Sequence, residues 1–189
     1  DKDAMYEILD EMYPIDIAIG LEEVDDDLLL EFCTLIDKDR LAEIIEQSEI
    51  TLQKRILNNF SINNIIEIFA YMSKDDVTDI VGNLPFKLRK EILRSMQKGE
   101  SNEIEHLLGY APDTAGGIMT TEYLALRGDL SIEKAILKIK QIGPKTEVLD
   151  IIFVLDIRKK LIGTVSLRDI LTAGEDDELF DIMEDNVIA

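Results

Sequence analysis

With 189 residues, 46% of them hydrophobic, the chain is long enough for one large or two small domains with real cores. Forty Asp and Glu against 20 Lys and Arg give a formal net charge of -20, which repels nucleic acid and anionic membrane surfaces and suits cations or basic partners. The acids alternate with Leu, Ile and Phe at helical spacing, so this is the composition of an acidic folded protein and not of a disordered tail. The single cysteine, Cys33, excludes an internal disulfide framework and a Cys-rich zinc site, agrees with a reducing cytosol, and is expected as a buried apolar side chain. No apolar run approaches the roughly 20 residues that span a bilayer, the longest, near Ile151–Leu155, being strand-sized. No signal peptide opens the sequence, and its start at Asp1 without a methionine fits a piece of a longer protein, so any membrane function is expected elsewhere in that protein.

In chain order, the first feature is a repeat of 12 residues with helix starts expected at Asp37, Glu49, Ser61, Ser73 and Pro85, extended backwards to Asp25. Seven and eight positions after each start stands an apolar pair, from Phe32-Cys33 through Ile44-Ile45, Ile56-Leu57, Ile68-Phe69 and Ile80-Val81 to Ile92-Leu93. Asp37, Ser61 and Ser73 are favourable N-cap residues, and Pro85 is tolerated at a helix start. Helices of about two to two and a half turns are marginal alone, so the repeat predicts an α-helical superhelix of stacked short helices. At 100° per residue, positions +4, +7 and +8 share one face while +2 and +6 point away from it. Position +6 holds Glu31, Glu43, Glu67, Asp79 and Glu91, interrupted by Arg55, and stacking is expected to align these acids into an exposed column. Position +2 holds Asp27, Asp39 and Asp75, which places Asp75 and Asp79 four residues apart on one outward face. Carboxylates at that spacing repel unless a cation lies between them, and magnesium, which keeps several waters and uses few carboxylates, suits so sparse a site. A solvated acidic face is the plain alternative, and the neighbouring Asp76 is read as a solvated first-turn residue.

After Met96 the pattern changes, and a polar stretch from Lys98 to Glu103 leads through a last helical segment to Tyr110-Ala-Pro-Asp-Thr-Ala-Gly-Gly-Ile-Met-Thr120. Gly116-Gly117 can turn sharply and is read as a linker, so the domains are drawn as 1–116, helical, and 117–189. Beyond lie a strand at Tyr123–Leu126, a helix opened by Ser131 with Glu133, strands at Asp150–Leu155 and Leu161–Val165 joined by a turn at Arg158–Lys160, and a helix from Leu167. This β-α-β-β-α order predicts a small mixed sheet with helices on one side. The lone His106 has no Cys or Ser arrangement around it that would make a nucleophilic unit, and no GxxxxGK[ST] phosphate loop is present, so the chain is read as not an enzyme.

The second half resembles a CBS motif, whose closing strand-to-helix segment is matched by Gly163-Thr-Val-Ser166-Leu-Arg-Asp169. Together with Asp113-Thr-Ala-Gly-Gly-Ile-Met-Thr120 and the acidic short-helix half, the whole chain resembles the N domain and first CBS motif of the MgtE family of magnesium channels. Ile118-Met119 before Tyr123-Leu124 recurs 64 residues later as Ile182-Met183 before Val187-Ile188, so a second CBS motif is expected to begin there. The resemblance implies a multidomain protein on the cytoplasmic side of the cell membrane. In such a protein, Mg2+ between acidic surfaces of the N domain and the CBS module favours a compact state that closes a transmembrane pore. It implies that Glu43 in Leu41-Ala-Glu-Ile, and Asp75 and Asp79 in Ser73-Lys-Asp-Asp-Val-Thr-Asp, contact Mg2+. It also implies homodimers through the CBS region, a pore domain of the same protein as partner, and no nucleic acid. CBS pairs often bind adenine nucleotides, so ATP at Ser166, Arg168 and Asp169 is implied too, against a plain role for Ser166 and Asp169 in capping the next helix. Two readings from other classes compete: a helical-solenoid interaction adaptor, and an adenine-nucleotide sensor without metal regulation.

Overall fold

The architecture is that of a computed structural model, which describes residues 8–9, 11–143, 146 and 148–187. They form two compact units, one running to Met119 and the other from Thr120.

From Pro14 the first unit is built of short helices: α1 (Pro14–Glu22), α2 (Asp26–Leu35), α3 (Lys38–Glu46), α4 (Ile50–Asn58), α5 (Ile62–Phe69), α6 (Lys74–Asn83), α7 (Phe86–Ser95) and α8 (Lys98–Leu107). Their N-caps are Tyr13, Asp25, Asp37, Glu49, Ser61, Ser73, Pro85 and Gln97, so the 12-residue register holds at all six expected starts and runs one unit further at each end. Asp25, Ser61 and Ser73 accept a hydrogen bond from the backbone N–H three residues on, whereas the Asp37 side chain makes no cap bond. Tyr13 and Gln97 make none either, although α1 opens with Pro14 at its first position.

The apolar positions converge as their spacing requires. Ile44, Ile56, Ile68, Ile80, Ile92 and Ile104, all at +7, are buried, and Phe69 at +8 is among the largest side chains wholly removed from water. Stacking, however, skips one helix: α1 packs on α3, α2 on α4, α3 on α5, α4 on α6, α5 on α7 and α6 on α8. The acids at +6 are exposed as expected but fall into two alternating rows and not one column. Ion pairs reach across 29 residues for the same reason. Lys38 pairs with Glu67, and Arg55, the basic interruption, donates from Nε to Asp26 Oδ1 at 2.9 Å and from its other nitrogens to the carbonyls of Glu22 and Val24. Arg55 thus fastens α4 to the α1–α2 turn and cannot serve as a free surface charge.

The second unit consists of β1 (Tyr123–Arg127), α9 (Ile132–Ile142), β2 (Val148–Leu155), β3 (Leu161–Ser166), α10 (Leu167–Thr172) and α11 (Leu179–Ile182). The strands lie in the order β1-β2-β3, with β1 and β2 parallel and β2 and β3 antiparallel. Leu124, Leu126, Ile152, Val154 and Val165 alternate onto one face and form a core with Ile132, Ala135 and Ile139 of α9 and Ile170 of α10. The β2–β3 turn closes on Asp156, whose Oδ1 accepts from Arg158 N at 2.7 Å and Lys160 N at 2.8 Å around Lys159 in the left-handed region, φ 62°. Helix α11 is an addition to the sequence reading. It starts in a reciprocal capping box of Glu178 and Asp181, and Glu184 beyond it bridges Thr164 of the edge strand. Of the repeated Val187-Ile188 pair, Ile188 lies outside the described residues.

Phe69→Ala is expected to lower unfolding free energy by about 3–5 kcal/mol in urea titration, whereas Glu91→Gln on the exposed row should change it by less than about 0.5 kcal/mol. Cys33 is buried, and burial pushes its thiol up to about 11. It should therefore resist alkylation near neutral pH in the native protein and react once the chain is unfolded.

Candidate functional site

Helix α6 carries the densest acid cluster of the outward face. Ser73 opens it, its Oγ accepting from Asp76 N at 3.2 Å and donating to Asp76 Oδ2 at 2.6 Å. Asp76, expected to be solvated, is thus half-buried and held by the cap. Its neighbour has no such partner: Asp75 Oδ1 is shielded from solvent and accepts no hydrogen bond from the protein. An acceptor left this way costs about 1–3 kcal/mol unless something outside the chain satisfies it. Asp79, one turn on, has its carboxyl raised above the ordinary range, first by partial burial, then by the charges of Asp76 and Asp75.

These three acids open on a cavity of about 640 Å³ within the helical unit, which Glu46 of α3 and Gln53 of α4 also line. Ile50, Ile80 and Leu107 and residues of the Tyr110–Met119 turn give it apolar lining, and Asn83 and Arg89 line it as well. Gly116 and Gly117 do more than link: a Cβ on Gly116 would collide with the Tyr110 ring, and one on Gly117 with the Ala111 carbonyl. The turn closes only because both side chains are hydrogen. His106 faces the same tyrosine, its Nε2 lying 3.1 Å from the Tyr110 hydroxyl.

The sequence-derived acids are therefore only partly brought together. Asp75 and Asp79 share the cavity; Glu43 on α3 is exposed, paired with Arg40 and does not line it, whereas Glu46, which spacing did not single out, does. Among the described residues no three His, Cys, Asp or Glu side chains converge as a complete metal centre. Oxygen donors in pairs, with one acceptor unsatisfied, fit a hard divalent ion that retains most of its water and not a dehydrated cage. In the second unit, Ser166 Oγ accepts from Asp169 N at 3.0 Å and donates to Asp169 Oδ2 at 2.6 Å, so these two cap α10, with Arg168 exposed beside them.

A superhelix of paired short helices carrying an acidic outer face, followed by a three-stranded mixed sheet of CBS type, defines a regulatory module in two parts. The chain belongs to the MgtE family: residues 3–113 match the model of the MgtE intracellular N domain, and residues 115–176 match that of the CBS domain. The magnesium transporter MgtE of Thermus thermophilus is 28% identical over 194 residues, taking in 100% of this chain and 42% of its own. That of Bacillus subtilis is 24% identical over 182 residues, with 96% and 40% covered, so the chain spans about two fifths of the length of these relatives. The crystal structure of the cytosolic domain of the Mg2+ channel MgtE in complex with ATP superposes with a TM-score of 0.91 at 27% identity, over 100% of this chain and 77% of that one. The soluble part of a magnesium transporter, at 23% identity and TM-score 0.88, has the same fold over 100% of this chain and 74% of its own. Among the described residues no helix is long and apolar enough to cross a membrane.

The sign of the Asp79 effect is open to test. A carboxyl whose native pKa lies above its unfolded value favours the fold when protonated, and that contribution is lost as pH rises through the ordinary Asp range and then the native value. Asp79→Asn should therefore raise the thermal midpoint near pH 7 in chelator, and the advantage should vanish below the ordinary Asp range. Scanning calorimetry at several pH values reads both.

Proposed function

We propose that this chain is the cytosolic Mg2+-sensing regulatory region of an MgtE-type magnesium channel or transporter, in which ions bound at its acidic surfaces favour a compact state that closes a pore. The shielded, unpartnered Asp75 Oδ1 beside the raised Asp79 carboxyl carries this reading, because such a pair is costly in water and is relieved by a divalent cation. Asp75 and Asp79 act as the principal contacts, and Glu43 acts from the other row of helices once Arg40 releases it. Carboxylate repulsion keeps compact and open forms close in energy, so that Mg2+ shifts the balance by its differential affinity for the compact form. The relatives' name as magnesium transporters supports the same reading, and the complete protein would pair as a homodimer through the CBS unit.

A second reading has separate support in the ATP complex of the structural relative. Adenine nucleotide binds at the β3–α10 junction, where Arg168 meets phosphate and the Ser166–Asp169 pair opens to take the ribose.

Millimolar Mg2+ should protect α6 amides from hydrogen exchange in this chain and compact a form extended through a second CBS motif, as seen by small-angle scattering. Asp75→Ala with Asp79→Ala should abolish both effects, and absence of any Mg2+ response in the extended form would overturn the sensor reading. In calorimetric titration with ATP, Arg168→Ala should weaken binding at least about tenfold while leaving stability unchanged. ATP affinity equal to that of the unmodified protein would remove Arg168 from the site.

A further inference from the structure

The superhelix has two open ends of opposite chemistry. Along its middle, positions +4, +5 and +8 face the helix stacked ahead, and are buried at Leu41, Ala42 and Ile45 of α3 and at Val77, Thr78 and Val81 of α6. Helices α7 and α8 have no successor in the repeat, and there the same stripe opens: Lys90, Asn102 and Glu105 are exposed and Leu93 only half-buried. Between them runs a groove of about 410 Å³ that includes Phe86, Arg89, Lys90, Leu93 and Arg94. Phe86 is 74% exposed, with the Lys90 ammonium over its ring.

The opposite stripe, +3 and +7, faces the helix behind and is buried at Leu52 and Ile56 of α4. In α1 and α2 it opens in turn. Asp16 and Gly20 are exposed, Leu28 is 53% exposed, and a side chain at Gly20 would meet open space. Charge is segregated between the ends. From Glu11 to Asp37 the sequence has nine acids and no Lys or Arg, whereas α7 has Lys87, Arg89, Lys90 and Arg94 against one acid, Glu91; α8 adds Lys98 but also Glu100, Glu103 and Glu105. A solubilising end repeat needs only a polar surface. These ends instead show Phe86 and Leu28 to water, and α7 at one end is basic where α1 at the other is acidic.

We propose that the helical units of two copies stack head to tail, α1 and α2 of one occupying the positions of a ninth and tenth helix beyond α7 and α8 of the other. Parity agrees, because stacking skips one helix and α1 follows α7 while α2 follows α8. The contact is heterologous, so it extends with concentration instead of stopping at a symmetric dimer. It does not depend on the Mg2+ reading.

Sedimentation of the whole chain in chelator tests this. At physiological salt, where a Debye length of about 8 Å screens the net charge, the average mass should rise above 21.5 kDa with concentration, and it should fall back near 1 M salt, where that length is about 3 Å. Lys87→Glu with Lys90→Glu, or Asp16→Lys with Asp27→Lys, should each weaken self-association at least about tenfold, with circular dichroism confirming the fold. Mixing the two reversed proteins should restore it. Phe86→Ser and Leu28→Ser should weaken it without changing charge. A protein that stays monomeric, or a dimer indifferent to both reversals, overturns the proposal.

Discussion

The helical unit from α3 to α8 depends on burying one isoleucine per repeat. Helices of 8–10 residues bury too little surface to stand alone, so each +7 side chain must be covered by neighbours on both sides. A helix of this length with a connection of two to four residues reverses direction each time, which puts the stacking partner two helices away. Once +4, +7 and +8 are committed inward, +2 and +6 are left outward in every unit. The acids of the outer face are therefore as periodic as the core that excludes them.

How much of this was legible follows from which residues carry local chemistry. Asp25, Ser61 and Ser73 announce helix starts because their side chains bond the backbone they precede; Gln97 makes no such bond, and Tyr13 is followed by Pro14 at the first helical position. The 12-residue period specifies which face of each helix is apolar but not which helix lies beside which, so one column of acids became two rows. Arg55 breaks the acidic pattern for a long-range reason, its bonds to Asp26 and the α1–α2 carbonyls. Glu46 lacked any signal, since it reaches the cavity through an interhelical gap that spacing does not encode. In the sheet, alternation at Leu124, Leu126, Ile152 and Val154 was readable, while α11 depends on a capping box only four residues long.

Within α6, three acids of one type have three different environments. Asp76 is satisfied by Ser73, Asp75 is shielded with one oxygen unpartnered, and Asp79 is partly buried beside both charges. Their cost is borne by Val77, Ile80 and Val81, buried on the opposite face of the same helix. Removing the core residues would free the acids to separate, so packing is what keeps the carboxylates in repulsion.

Net charge of -20 describes this protein poorly at the scale on which contacts form. With a Debye length of about 8 Å at physiological salt, a surface is governed by its own charges and not by the sum over 189 residues. Helix α7 is basic inside an acidic chain, and Arg89 donates to the Gly82 and Leu84 carbonyls at the end of α6, leaving Lys90 and Arg94 exposed. An acidic surface far from that end adds little repulsion to it. The same screening that isolates the α6 carboxylates thus leaves basic α7 free to attract acids, and one molecule can present both without either cancelling the other.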